Sequence, residues 1–238
     1  MSQHIVTSFD ADLKSLSQTI EDMGERVQRL LEDALSALAK DDGDLAQKVI
    51  EADRHVDLLQ HNVDEKAVAT IAKRQPLATD LREVVATIRL STDIERVGDL
   101  AKNIAKRAMA IKGAGQPQFA SSFESLARRV LGQLANVLAA YKNRDDKAAI
   151  EVWRSDGVID NLHSALFREL LTYMMEDPRN IGACTHLLFC AKNLERIGDH
   201  ATNIAETIHY LVSGETLSIE RPRGASASMV LASQDSTS

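Results

Sequence analysis

The chain has little of what strands, tight turns and disulfide frameworks need. Its 238 residues include only four prolines, 11 glycines and two cysteines, and aromatic residues make up 4%. Residue types that favour helices, such as Ala, Leu, Glu and Lys, fill much of the rest. We therefore predict an all-α protein. Because 44% of the residues are hydrophobic, it can bury a sizeable core.

Further absences narrow the class of protein. No window of about 18 apolar residues exists and the N-terminus is polar and acidic, so we expect neither a membrane span nor a signal peptide. The net charge of −7 argues against nucleic acid as a partner and favours cations or a basic surface. Cys184 and Cys190 lie in an apolar run without the spacing of a metal motif. We predict that they are reduced core residues of a cytosolic protein.

What the chain does contain is an internal repeat. Residues 95–105 return at 195–205 with 8 of 11 residues identical, after a shift of 100 residues. The repeat indicates two copies of one unit, so a function carried by one copy is expected twice. Apolar periodicity and breaks at Pro76 and Pro178 predict six long helices, in two tandem three-helix bundles. The predicted domains are a first bundle at 1–113, a linker at 114–117, a second bundle at 118–214 and a mobile tail at 215–238, and the predicted helices are 13–40, 44–75, 79–112, 119–142, 145–175 and 180–212.

Acidic and amide residues recur within the repeat at a spacing that places them on one face of a helix. Glu95, Asp99 and Asn103 stand at positions i, i+4 and i+8. The apolar residues of the same segment fall on roughly the opposite side, so this polar stripe is expected to face outward or toward another helix. The second copy carries the same stripe at Glu195, Asp199 and Asn203.

The middle helix of each predicted bundle supplies a further acidic pair. Two carboxylates one turn apart repel each other unless a cation or a basic residue lies between them. If the middle and last helices of a bundle are neighbours, four carboxylates and an amide converge on one patch. Such a donor set suits cations that prefer oxygen, with iron, manganese and magnesium foremost. The pairs are Asp53 with Asp57 and Asp156 with Asp160.

The same acidic pairs also have a simpler interpretation as a solvated helix surface. Nearby basic residues can form ordinary surface ion pairs, each worth less than about 1 kcal/mol. The recurrence of spacing, Asn and glycine in both copies nevertheless favours metal binding. Gly98 and Gly198 each cost a helix about 1 kcal/mol relative to alanine, which indicates a close approach by a neighbouring backbone or a bulky inorganic group. The basic residues in question are Arg54, Arg96, Lys102 and Arg196.

Three segments carry a resemblance to a known family. Residues 75–82, 93–105 and 193–205 resemble the PhoU family of bacterial phosphate-signalling regulators, and the resemblance extends over about residues 8–213. It implies two three-helix bundles related by a pseudo-two-fold axis, a cytoplasmic protein that commonly forms a homodimer, and surface metal clusters held by Glu/Asp-x-x-x-Asp pairs. Carried over to this chain, the implied ligands are Glu95, Asp99, Glu195 and Asp199 with facing Asp53, Asp57, Asp156 and Asp160, and Asn103 and Asn203 are weaker candidates.

The resemblance also implies a function. It predicts a negative regulator of the phosphate-starvation response and of phosphate uptake, which couples the ATPase subunit of a phosphate ABC transporter to a phosphate-sensing histidine kinase. Contact with the membrane is then indirect, through these partners. The alternative is a metal-dependent helical-bundle enzyme or a metal-storage protein. A di-iron oxidase needs two Glu-x-x-His motifs, and Glu206 with His209 supplies a single match, so we expect a regulator and not an enzyme.

Overall fold

A computed structural model describes the backbone of residues 2–111 and 120–217, and the side chains of residues 10–111 and 121–217. Within these ranges the chain is α-helical apart from its turns and one short 3-10 turn, and no strand occurs there. The predicted linker at 114–117 and most of the predicted tail lie outside the described residues. The helices are α1 (Ser2–Lys40), α2 (Gly43–Arg74), α3 (Thr79–Ala110), α4 (Ala120–Asn143), α5 (Asp146–Arg154), α6 (Asp156–Glu176) and α7 (Ile181–Ser213), with the 3-10 turn at Pro178–Asn180.

The helices form two three-helix bundles, as predicted. In the first half α1, α2 and α3 pack on one another, and in the second half α4 and α7 pack with α5 and α6, which together take the place of α2. The predicted apolar seams are buried because they face the centre of each bundle. Both cysteines are free and buried. The seam of α7 consists of Leu187, Ala191, Leu194, Ile197, Ala201, Ile204, Ile208 and Leu211.

The last helices of the two halves, α3 and α7, pack against each other across the centre of the molecule. They run antiparallel, since Asp93 of α3 contacts His200 of α7 whereas Arg107 lies beside His186. This arrangement places equivalent residues of the two repeats at opposite ends of one contact. No helix in the described ranges is both long and apolar enough to cross a membrane.

The first two helices of each half are joined by the same kind of turn. Asp42 caps α2 by accepting hydrogen bonds from the backbone N–H groups of the first helical turn, and Asp145 caps α5 in the same way. Each cap follows a residue with left-handed backbone, Asp41 (φ 56°) or Arg144 (φ 51°). The turn is thus repeated in detail, which fixes the start of the middle helix in both halves.

The prediction of one helix over 145–175 is wrong at Ser155, where the structure divides the segment into α5 and α6. The Ser155 N–H is shared between the carbonyls of Glu151 and Val152, at 3.2 and 3.1 Å, and its hydroxyl donates to the Val152 carbonyl at 2.9 Å. A serine hydroxyl that bonds to the local backbone competes with the helical ladder. The break lies directly before Asp156, whereas its equivalent Asp53 lies within the uninterrupted α2.

Candidate functional site: two unequal carboxylate clusters

The eight predicted carboxylate ligands lie on equivalent pairs of helices. The first cluster is carried by α2 and α3, and the second cluster by α6 and α7. Each polar stripe therefore faces a neighbouring helix as well as solvent. This is one of the two orientations that the sequence predicts. We define the first cluster as Asp53, Asp57, Glu95 and Asp99, and the second cluster as Asp156, Asp160, Glu195 and Asp199.

A lysine lies inside the first cluster. The Nζ atom of Lys102 is 2.5 Å from Asp53 Oδ2 and 2.5 Å from Asp99 Oδ1. Asp53 is only 1% exposed and the Lys102 side chain 20% exposed, so the interpretation of Lys102 as an ordinary surface ion pair is wrong. That interpretation does fit Arg96, which is 56% exposed and lies 3.7 Å from Glu95 and from Asp99.

The pKa values of the side chains in the first cluster are shifted by burial, by hydrogen bonds and by neighbouring charges. Burial raises the pKa of Asp53, although the hydrogen bond from Lys102 acts in the opposite direction. The pKa of Glu95 is raised by burial and then by the negative charge of Asp99. Burial alone would lower the pKa of Lys102, but its hydrogen bonds to Asp53 and Asp99 outweigh that effect and raise it. Lys102 is therefore a permanent cation within the cluster.

The helical glycines make room for side chains. A Cβ atom at Gly98 would lie 3.1 Å from Asp53 Oδ1 and 3.4 Å from Val27 Cγ1, and one at Gly198 would lie 2.8 Å from Ile159 Cδ1. The predicted close approach is thus real, but the group that approaches is a side chain and not a backbone or an inorganic group. In the first half, the buried carboxylate of Asp53 packs against α3 at Gly98, where there is no side chain.

In the second cluster, threonine takes the position of the lysine. Thr202 Oγ1 donates a hydrogen bond to Asp156 Oδ1 at 2.8 Å and lies 3.1 Å from the Gly198 carbonyl. Gln133 of α4 in turn donates from Nε2 to Thr202 Oγ1 at 3.3 Å. Asp156 is buried, like Asp53, but the group that Thr202 presents to it is a neutral hydroxyl.

Lys192 and His163 are basic side chains beside the second cluster. Lys192 Nζ is 2.6 Å from Glu195 Oε2, and the lysine side chain is 54% exposed. On α6, burial and then the charge of Lys192 lower the pKa of His163, against the opposing effect of Asp160. The lysine of the second half is thus at the surface, whereas that of the first half is enclosed between carboxylates.

The two predicted amide ligands line the contact between α3 and α7. Asn203 Nδ2 donates to Asp93 Oδ1 at 3.3 Å, and the same oxygen lies 2.8 Å from His200 Nδ1. Asn103 borders an open groove at the other end of that contact, together with Asn193. Asn103 and Asn203 thus lie at the two ends of the contact between the halves, and their role as metal ligands stays a prediction.

The two clusters differ in the group that contacts the buried carboxylate. In the first cluster, Lys102 already lies between Asp53 and Asp99, so these residues do not fit a metal ion while the lysine is there. In the second cluster, the neutral Thr202 stands at the position of Lys102, and carboxylate oxygens are the donor type that hard cations prefer. Among the residues that the structure describes, no three His, Cys, Asp or Glu side chains are arranged around one metal position.

The single Glu-x-x-His match serves the packing of the second bundle. Glu206 Oε1 accepts a hydrogen bond from Trp153 Nε1 at 2.9 Å, and His209 Nδ1 is 2.6 Å from Asp146 Oδ1. Both side chains thus tie α7 to α5. This geometry gives no support to a di-iron centre of the kind that the motif would serve.

Sequence reasoning missed the residues that make the clusters unequal. Lys102 was assigned to the surface, and neither Thr202 nor Asp93 was singled out. The signal was present in the repeat itself, because Leu100/His200 and Lys102/Thr202 are two of its three mismatched positions. The mismatches, more than the matches, mark where the two halves differ in chemistry.

Comparison with known proteins agrees with this duplicated architecture. The family model of the PhoU domain matches twice, at residues 20–108 and 123–208. A Rhizobium meliloti (strain 1021) protein named phosphate-specific transport system accessory protein PhoU homolog is 52% identical over 221 residues, which cover 92% of this chain and 93% of that protein. The Escherichia coli (strain K12) protein named phosphate-specific transport system accessory protein PhoU is 39% identical, covering 90% and 89% of the two chains.

Two solved structures show the same fold. The crystal structure of PhoU from Pseudomonas aeruginosa matches with a TM-score of 0.84 and 36% identity, over 87% of this chain and 100% of that one. The phosphate transport system regulatory protein PhoU from Streptococcus pneumoniae matches with a TM-score of 0.81 and 29% identity, over 89% and 100%. The relatives bear the names of accessory and regulatory proteins, not of enzymes. The chain belongs to the PhoU domain family.

Proposed function

We propose that the chain is a cytoplasmic negative regulator of phosphate uptake and of the phosphate-starvation response. In this role it is an adaptor between the ATPase subunit of a phosphate ABC transporter and a phosphate-sensing histidine kinase. The observation that carries the proposal is the PhoU domain found in both halves, together with relatives named as accessory proteins of phosphate-specific transport. An adaptor acts through its surfaces, so its contacts with partners carry the signal.

Exposed apolar side chains at the ends of the bundles support such contacts. Leu77, in the turn between α2 and α3, is 81% exposed, and Met175, at the end of α6, is 78% exposed. Ile181, at the start of α7, is also exposed. Single exposed apolar residues are common, but these occur at corresponding turns of the two halves. We propose that these turns contact the partner proteins.

Deletion of the gene tests the regulatory role. We expect phosphate-starvation genes to be expressed in the deletion strain even under phosphate excess, because the restraint on the kinase is lost. Expression that stays repressed would contradict the proposal. Recovery of the transporter ATPase in a pull-down with the full-length protein tests the partner directly.

Surface variants test the location of the contact. Leu77→Gln and Met175→Gln replace exposed apolar side chains and leave the core intact, so the fold should be retained. We expect both to reduce recovery of the ATPase and to fail to restore repression in the deletion strain. Ala72→Gln introduces the same side chain at an exposed position of α2 that carries no large apolar group, and serves as the control. Equal recovery by all variants would exclude these turns as the contact.

We also propose that the second cluster binds iron, manganese or magnesium, whereas Lys102 supplies the positive charge of the first cluster. Titration of the purified protein with Mn²⁺, with elemental analysis, measures the number of ions bound. Thr202→Lys introduces a lysine at the position of Lys102 and should abolish binding, whereas Lys102→Thr should add a binding site. Binding that Thr202→Lys leaves unchanged would contradict the proposal. We further propose that the protein forms a homodimer, as the family resemblance implies, and sedimentation of the same samples tests this.

A further inference from the structure

An open groove lies between α3 and α7 at one end of their contact, with a volume of about 300 Å³. Its polar lining consists of two cations, Lys106 and Arg107, and two carboxamides, Asn103 and Asn193, and no acidic residue lines it. This is notable in a chain of net charge −7, in which acidic residues outnumber basic ones by 35 to 28. The groove is a local concentration of hydrogen-bond donors and positive charge.

Among the residues that the structure describes, the two cations of the groove have no acidic partner. In the part of the chain that the structure describes, no carboxylate lies within ion-pair distance of Lys106 or Arg107. The guanidinium of Arg107 stacks on the ring of Phe189 at 4.3 Å from its centroid, and its Nη1 lies 3.4 Å from His186 Nδ1. Stacking holds the guanidinium by its flat face and leaves N–H groups at its edge for an anion.

The internal repeat supplies a comparison for the groove. A shift of 100 residues maps Asn103 onto Asn203 and Asn193 onto Asp93. At that other end of the contact, the carboxylate of Asp93 accepts a hydrogen bond from Asn203 and lies 2.8 Å from the ring of His200. The donors there surround an anion that belongs to the chain itself.

The groove has an equivalent of the amide donor Asn203 but no equivalent of the Asp93 carboxylate. Asn103 is present in the place of Asn203, but the neutral Asn193 replaces Asp93. One helical turn further along, Lys106 stands at the position equivalent to Glu206, which also makes the groove more positive than the other end of the contact. An external anion in the groove would therefore supply the negative charge and the hydrogen-bond acceptor that Asp93 supplies at the other end.

We propose that this groove binds a phosphate-type oxoanion, at a place equivalent to that of the Asp93 carboxylate. A guanidinium edge, an ammonium group and two carboxamides provide the donors that a tetrahedral dianion needs on several sides. Because the groove is lined by both α3 and α7, the occupant contacts both halves and stabilises their association. The site is separate from the carboxylate clusters, so it does not depend on metal binding.

Calorimetric titration of the full-length protein with inorganic phosphate tests the proposal. We expect saturable binding that is weakened at least about tenfold in Asn193→Asp, because this change introduces the internal carboxylate found at Asp93. Lys106→Gln, at an exposed position, should also weaken binding without affecting the fold. Asn143→Asp adds the same charge at an exposed position outside the groove and should retain the wild-type affinity.

Parallel titrations with glycerol 3-phosphate and acetate identify the source of the anion. Binding of inorganic phosphate alone assigns the groove to the free ion, and equal binding of the ester assigns it to a phosphoryl group on a larger molecule. Two results overturn the proposal: no saturable binding up to about 10 mM phosphate, or equal affinity in Asn193→Asp, Lys106→Gln and Asn143→Asp.

Discussion

The two halves of the molecule place acidic residues at the same spacing but compensate the buried carboxylate in different ways. In the first half, Lys102 lies between Asp53 and Asp99 and supplies a full positive charge. In the second half, Thr202 supplies a hydroxyl to Asp156 and is itself hydrogen-bonded by Gln133. A repeated pattern of carboxylates is thus compatible with two different electrostatic environments. Spacing alone does not show whether a cluster has a place for an added cation.

Lys102→Met should have the largest effect on stability. It leaves the buried carboxylate of Asp53 without its cation, and removal of one partner of a buried ion pair costs about 3 kcal/mol. Thr202→Val removes the equivalent contact of the second half and should cost less, about 1.5 kcal/mol, as for one hydrogen bond to a charged group. Chemical denaturation of both variants measures the difference.

A double variant tests the cause of that loss. If the cost of Lys102→Met arises from the charge left on Asp53, the further change Asp53→Asn should recover most of it. Equal losses in Lys102→Met and Thr202→Val, or no recovery in the double variant, would show that the two clusters are energetically alike.

The helical glycines provide the second test. Gly198→Ala places a Cβ atom 2.8 Å from Ile159 Cδ1, in a packed core, and should cost about 1 kcal/mol net, because the strain exceeds the gain in helix propensity. Gly98→Ala approaches Asp53 Oδ1 at 3.1 Å, a milder contact that the helix propensity of alanine, about 1 kcal/mol, largely offsets. Thermal unfolding should therefore show a lower Tm for Gly198→Ala. The reverse order would mean that the carboxylate of Asp53 cannot shift.

The contact between the halves is also unequal, and Asp93→Ala should reveal it. This variant removes the acceptor for Asn203 and the partner of His200, and should cost about 1 kcal/mol. Asn193→Ala changes the equivalent position at the other end of the contact and should have almost no effect on unfolding in phosphate-free buffer. Equal losses would indicate that the two ends are equally bonded.

Glu95→Gln should produce the smallest change, and one that depends on pH. Since the folded-state pKa of Glu95 is raised, its ionised form destabilises the folded protein above that pKa, and both states are protonated well below the usual value of 4.5. Glu95→Gln should therefore stabilise the protein at pH 7 by less than about 1 kcal/mol, and the gain should disappear as the pH falls below 4.5. Glu195→Gln removes the ion pair with Lys192 and should give no such gain.

The fold could be predicted from the sequence because it depends on burial along single helices. The apolar period of α3 and α7 placed residues such as Ile94 and Ile197 in the core, and Pro76 ended α2 where the ladder could not continue. The break at Ser155 was missed, because serine is tolerated within helices and only its local hydrogen bonds reveal the interruption.

The site was predictable in its spacing but not in its electrostatics. Glu95 and Asp99 lie on a shared helix face whatever surrounds them, so their spacing alone places them side by side on α3. Whether Lys102 points to solvent or to Asp53 depends on how α2 crosses α3, which is a property of the tertiary structure. The same holds for the pairing of Asp93 with His200, which joins residues 107 positions apart.

The interruption at Ser155 has a mechanical consequence for the second half. Because α5 and α6 do not share a continuous ladder, the angle between them is set at Ser155, directly before Asp156. Asp53 lies within the continuous α2, so its backbone can move only if the whole helix moves or if the helix unwinds locally. Ser155 is therefore the position at which the middle helix of the second half changes from one hydrogen-bonded segment to the next, a junction that the continuous α2 does not contain.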